Sequence, residues 1–128
     1  MTVRDMLAAH PRPSPLDRDV LLRCIEDCIN CAPTCTSCAD ADLGEPDLPE
    51  MVRCIRLCLD CADMCATSAN FMLRESTMHR RTCEVCAEVC DACAKSCDQF
   101  PNDDVMRRCA EECRRCAESC REMVRGTA

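Results

Sequence analysis

The 18 cysteines of this 128-residue chain are the residues best able to do chemistry, and their spacing narrows what that chemistry is. They fall in four blocks: Cys24, Cys28, Cys31, Cys35 and Cys38; Cys54, Cys58, Cys61 and Cys65; Cys83, Cys86, Cys90, Cys93 and Cys97; and Cys109, Cys113, Cys116 and Cys120. Within each block the steps are three and four, in strict alternation. Residues so spaced share one face of an α-helix, whereas a strand would throw successive members onto opposite faces. Each block therefore reads as a thiol stripe on a heptad seam.

Three uses of such stripes can be compared. Buried cysteine is a small hydrophobe, but a seam built from it alone leaves the centre under-filled, at a cost of several kcal/mol for each large side chain it replaces. Disulfides between residues three or four apart on one helix close tiny loops and constrain little. Metal binding remains, and charge selects the metal. A Zn(II) held by four thiolates carries a net charge of about −2, so a stack of such centres in a dry tube is prohibitive. Cu(I) is soft, takes two or three sulfurs and lets each sulfur bridge two ions. At one Cu(I) per thiolate the core is neutral, with about as many protons leaving as ions arriving.

The rest of the composition agrees with a helical container. Leu, Ile, Val and Phe together number only 21, Trp and Tyr are absent, and Gly occurs twice, so the cysteines must belong to the interior. The net charge of −7 and the interspersion of Arg with Asp and Glu argue against a nucleic-acid partner. No stretch of about 18 apolar residues is present to span a membrane, and no Sec or twin-arginine signal is visible, so a reducing cytoplasm is the expected compartment. The CxxC steps, such as Cys58 to Cys61, lack the βαβ context of a thioredoxin site, and no Ser/His/Asp set or phosphate loop occurs, so the chain is not expected to be an enzyme.

Stop and start signals between the blocks define the elements. Ser14-Pro15 reads as cap and first residue of a helix reaching about Ala39, with a kink at Pro33. Asp40 to Pro49 reads as a loop, Asp47 to Pro49 as the start of the second helix, and Gln99 to Asn102 as the end of the third and the cap of the fourth. Between the second and third helices neither Gly nor Pro marks a boundary. An unbroken helix over 50–98 would be about 70 Å long, so a turn is placed near Arg74 to Thr77, capped by Ser76 or Thr77. The expected fold is all-α, an antiparallel up-down-up-down four-helix bundle with a cysteine-lined core. Its domain covers residues 14–125, and residues 1–13 form an N-terminal extension with a short helix capped by Thr2 and Asp5.

Extending the stripes in register identifies the mouths of the tube. One end collects Asp17, Leu21, Ser68, Met72, His79 and Met123, and the other Asp42, Met51, Phe100 and Met106. The imidazole of His79 and the thioethers of Met72 and Met123 are exchangeable Cu(I) ligands suited to capture. The second end has more apolar bulk and reads as plugged. His10 falls outside the register and reads as a surface residue. Glu26, Asp27, Glu84, Glu88, Glu111 and Glu112 read as solvated faces paired with Arg. A second apolar stripe, Leu22, Ile25 and Ile29 with Val52, Ile55 and Leu59, covers neighbouring helices or a homo-oligomer contact.

The four ladders from Ser14 to Met123 resemble the bacterial copper storage proteins, and the absence of a twin-arginine signal resembles their cytosolic branch. The resemblance implies Cu(I) binding by the 18 cysteines, a His and Met mouth, and a homotetramer. It also implies copper ions as the partner, with a copper chaperone as donor or acceptor. The function so read is storage of many Cu(I) ions as thiolate clusters; the alternative is a thiol redox or metal-stress sensor with a few Zn or Cu sites, which would need one or two privileged cysteines.

Overall fold

The computed structural model describes residues 1–126. Five helices account for most of them, and among the described residues no strand is present: α1 Val3–Ala9, α2 Arg18–Leu43, α3 Leu48–Leu73, α4 His79–Cys97 and α5 Asp104–Arg125. The four long helices form a ring in which α2 packs on α3 and α5, and α4 on the same two, while the diagonal pairs stay apart. A tube along the ring's axis is what that leaves, and the cysteine stripes line it.

The helix boundaries follow local chemistry, sometimes differently from the sequence reading. α1 has the expected capping box, with the Thr2 side chain accepting from the Asp5 N–H and the Asp5 carboxylate from the Thr2 N–H. Its Leu7 is buried against the bundle. α2 does not begin at Ser14. Prolines 11, 13 and 15 push the residues before them out of the helical region, and Asp17 caps instead, accepting from the N–H groups of Asp19 and Val20. α2 then runs through Pro33 and past Ala39 to Leu43, because nothing before Gly44 stops it. Asp103, not Asn102, caps α5, its carboxylate accepting from the Met106 N–H at 3.1 Å.

The turn between α3 and α4 falls where length required it, but neither Ser76 nor Thr77 is the cap of α4; Met78 holds that place without a side-chain bond. The Ser76 hydroxyl accepts from the Met78 N–H within the turn. α3 ends in a Schellman motif: the N–H of Glu75 bonds the Met72 carbonyl at 2.9 Å and that of Ser76 bonds Phe71 at 3.0 Å. That motif places Glu75 at φ 50°, where glycine is usual and another residue costs about 1–2 kcal/mol.

Side-chain bonds offset this strain. Arg18 clamps the Glu75 carboxylate with both guanidinium nitrogens, at 2.9 and 2.7 Å. Ser14 donates to the same carboxylate from its N–H and its hydroxyl, both at 2.8 Å. The segment entering α2 is thereby tied over the α3–α4 turn. The Glu75 side chain is fully covered while Arg18 is partly exposed, and the bond from Arg18 above all holds the carboxyl at a pKa of about 2.

Asp27 and Glu112 depart from the solvated faces expected of them. Asp27 is buried and accepts from Ser119 across the α2–α5 seam. Glu112 is half-buried, pairs with Arg115, and has its pKa raised by burial. A polar seam of this kind is what remains when a helix must bury a wider face than its cysteines occupy. Glu84 and Glu111 do pair with Arg80 and Arg107 on the surface. In the second apolar stripe, Leu22, Ile25 and Ile55 are buried within the chain, whereas Ile29, Val52 and Leu59 are exposed.

The latch predicts a pH signature. Glu75→Gln should lower apo-protein stability at pH 7 by about 1–2 kcal/mol, because one charged bond network is lost beside a partly exposed Arg. A carboxyl whose pKa is depressed by folding stabilises the fold above its unfolded value of about 4.5 and loses that contribution as pH falls toward about 2. Denaturant unfolding of both proteins should therefore show the gap closing over that interval.

Candidate metal centre

Antiparallel neighbours bring the stripes together rung by rung. The steps from Cys24 along α2 are 4, 3 and 4, and those from Cys120 back along α5 are the same. The sulfurs meet accordingly: Cys24 with Cys120 at 3.7 Å, Cys28 with Cys116 at 3.6 Å, Cys31 with Cys113 at 3.9 Å and Cys35 with Cys109 at 3.8 Å. α3 and α4 repeat the scheme, with Cys65 and Cys86 at 3.7 Å, Cys61 and Cys90 at 3.6 Å, Cys58 and Cys93 at 3.6 Å, and Cys54 and Cys97 at 3.4 Å. Contacts across the axis, such as Cys61 to Cys113 at 3.9 Å and Cys65 to Cys116 at 3.8 Å, fuse the two ladders. None of the 18 cysteines is more than 1% exposed, and all are free thiols.

The spacing suits metal bridging. A metal–sulfur bond of about 2.3 Å, the zinc–thiolate length, lets one ion join sulfurs up to about 4.6 Å apart. Several groups of four sulfurs lie within 4.8 Å of one another, among them Cys31, Cys61, Cys65 and Cys90, and Cys38, Cys58, Cys97 and Cys109. Individual cysteines belong to more than one group: Cys31 also meets Cys35, Cys61 and Cys113. Overlapping groups are what a bridged cluster uses, and a row of separate four-thiolate zinc sites would not share ligands in this way.

Proton sharing follows from the same contacts. Hydrogen bonds from Cys113 first, then from Cys116, Cys35 and Cys61, pull the Cys31 thiol well below the usual range. Cys113, bonded to Cys109, Cys31, Cys35 and Cys61 and buried, is pushed well above it. The first thiol of a contacting set to ionise is stabilised by its neighbours' S–H groups, whose own protons then become harder to remove. A soft cation removes that opposition by replacing the protons.

The residues expected at the first mouth are brought together in part. Met72 and Met123 are fully buried and His79 nearly so. The Met72 sulfur lies 3.9 Å from that of Cys83, as does the Ser68 hydroxyl. The His79 Nδ1 is 2.8 Å from the Ser76 carbonyl, which can only accept, so Nδ1 carries the hydrogen. An imidazole held in that tautomer binds metals through Nε2. Asp17 is exposed and occupied as the α2 cap. His10 lies outside the tube, but shares a surface hollow with Ser14, Glu75 and His79.

The opposite end holds the residue that sequence reasoning undervalued. Met51 and Met106 are buried there, as a plug would be, but so is Asp42, at 1% exposure. Its Oδ2 has no hydrogen-bond partner. Burial foremost, then the neighbouring Cys54, Asp103, Cys109 and Glu45, pushes its carboxyl up to about 7. The signal was present in the register, since Asp42 follows Cys38 by four residues, as Cys28 follows Cys24.

Comparison with known proteins points in one direction. Residues 17–125 match the family described as Csp, copper storage protein. No curated protein matches. Among solved structures, the copper storage protein Ccsp from Streptomyces lividans loaded with 10 copper equivalents superposes with a TM-score of 0.94 at 39% identity, covering 98% of this chain and 99% of that one. A cytosolic copper storage protein from the same organism, with five coppers, gives 0.84 at 39% identity over 87% and 97% of the two chains. The Cu(I)-bound BsCsp3 of Bacillus subtilis gives 0.75 at 38% identity over 79% and 94%.

Asp42 makes the metal-free protein pH-sensitive. A carboxyl whose pKa rises on folding, here from 3.8 to about 7, favours the fold fully below the lower value and loses that advantage as pH rises through the higher. Asp42→Asn should accordingly match the parent near pH 4 and exceed it at pH 8, by on the order of 2 to 4 kcal/mol in denaturant unfolding of the apo-protein.

Proposed function

The chain belongs to the copper storage protein family, and from that membership we propose that the tube is the store itself, its 18 cysteines holding Cu(I) as bridged thiolate clusters. One observation supports this above the rest: facing sulfurs lie 3.4–3.9 Å apart in successive rungs, overlapping four-sulfur groups within 4.8 Å join these rungs, and all the thiols are screened from water. Only a monovalent soft ion can fill such a network to one ion per thiolate and leave it neutral. Loading is then a proton-for-copper exchange in which the void between small side chains becomes occupied.

His79, Met72 and Met123 serve in this reading as the receiving mouth. Thioether and imidazole are neutral ligands that hold Cu(I) less firmly than thiolates do, so an ion caught there is drawn inward. Met72 stands next to Cys83, the outermost cysteine of α4, and gives the ion its next sulfur. The store works in the cytoplasm, in line with the cytosolic protein from Streptomyces lividans. Residues 14–125 are the storage domain, and the exposed Ile29, Val52 and Leu59 are the face through which copies assemble, as a homotetramer by resemblance. A copper chaperone is the donor or acceptor. No catalytic role is assigned. The sensor alternative calls for a privileged, accessible thiol, and uniform burial argues against it.

Anaerobic titration of the reduced protein with Cu(I) against a chromophoric chelator should break at about 15–20 ions per chain, near one per thiolate. A break at four or fewer would transfer support to discrete zinc or sensor sites. Cys61→Ser with Cys113→Ser, at the crossing of the two ladders, should reduce the capacity while leaving the far-ultraviolet helical signal in place. Loading should also raise the melting temperature of the parent protein by linkage, since the unfolded chain cannot assemble the clusters.

A further inference from the structure

The register of the cysteines contains places that cysteine does not take. Contacts along the rungs and across the axis set α2 to α5 in five levels, each with one position from every helix. Cysteine holds all of these positions except two, Met106 and Ser68. Met106, three residues before Cys109, completes the level of Cys38, Cys54 and Cys97, and Ser68, three residues after Cys65, completes the level of Cys24, Cys83 and Cys120. Both are fully buried. The Ser68 hydroxyl lies 3.9 Å from the Cys83 sulfur, across the same α3–α4 seam as the rung of Cys65 and Cys86 at 3.7 Å.

The two exceptions differ in chemistry. A thioether is soft and can hold Cu(I) beside thiolates, whereas a hydroxyl oxygen is hard and keeps its proton. Position 68 is thus the one place in the register that offers a Cu(I) ion no ligand. Size does not require the exception, because this seam accommodates cysteine at every other level and serine differs from it by one atom. Without a thiolate facing it on α3, Cys83 shares its ion with the Met72 thioether, 3.9 Å away and within the about 4.6 Å that one ion spans at about 2.3 Å a bond. We propose that Ser68 makes this level the exchange level of the store: the ion between Cys83 and Met72 is the last to be held on loading and the first to be given up. When it leaves for a stronger ligand, Cys83 takes a proton from solvent in its place, so the level stays neutral. Ions deeper in the tube keep thiolates on every side and follow later. The proposal rests on the storage reading, and adds to it the residue that sets the order of release.

Copper-edge anomalous diffraction tests the order directly, on crystals of the full chain loaded anaerobically with Cu(I) to saturation and on crystals grown after a chelator has withdrawn a small fraction of that copper. The expected second map keeps the peaks inside the tube and loses the one between Cys83 and Met72. Loss from the inner levels or from the Met106 end, with the Cys83 peak intact, overturns the proposal alone, and a saturated chain without copper in the tube overturns the storage reading beneath it. Release into excess chromophoric chelator tests the residue. Ser68→Cys should hold about one more Cu(I) per chain and slow the first phase of release about 10-fold, the lower end of the effect of altering a metal site's supporting groups. Ser68→Ala removes the hydroxyl without adding a ligand, and should keep the parent's capacity and its first phase. Equal first phases for Ser68→Cys and the parent overturn the proposal, as does equal slowing by alanine, which would assign the effect to packing. The parent crystals carry the test if a variant fails to fold.

Discussion

Everything in this protein depends on burying thiols that cannot all ionise. Eighteen small side chains packed into one dry tube are tolerable as neutral S–H groups, forbidden as bare thiolates, and tolerable again once each negative charge is matched by a monovalent cation. The two permitted states differ by an exchange of protons for ions. Contacting sulfurs already compete for protons in the metal-free state, with Cys31 pulled down and Cys113 pushed up by the bonds they share. Storage follows from this constraint because no single position is favoured: capacity comes from repetition.

Repetition also governs the helices. The 4-3-4 steps of α2 and α5 run in opposite directions and bring four sulfurs of one helix opposite four of the other, and α3 and α4 do likewise. Cysteine at these places gives up the packing energy of leucine, so the metal-free bundle needs other support. Some of it lies outside the tube, in alanines packed between the helices, in Asp27 bonded to Ser119, and in the Glu75 latch tying the chain before α2 to the α3–α4 turn. The ends of the tube are where repetition stops, and the side chains there depart from cysteine in two different ways. One end offers imidazole and thioether beneath the latched segment. The other offers a buried carboxylate beneath an acidic depression.

What the amino-acid order determined without help is the fold class, the four stripes and the class of metal. A 3/4 alternation kept over every step has one regular backbone solution, and the number of thiols leaves soft-metal neutralisation as the one consistent use. What only the tertiary structure decided are the features that depend on groups far apart in sequence. The turn at Arg74 to Thr77 has no glycine because Ser14 and Arg18, some 60 residues earlier, hold Glu75 in a conformation that glycine normally supplies. Asp27 sits among surface-like acids in the sequence and becomes buried because Ser119 lies across the seam. Asp42 reads as a loop residue at the apolar mouth, and only the structure carries α2 past it and buries it with an oxygen left without a partner. Periodicity reports which face a residue shares with its helical neighbours; burial and hydrogen-bond satisfaction are properties of what the other helices bring to that face, and no local pattern contains them.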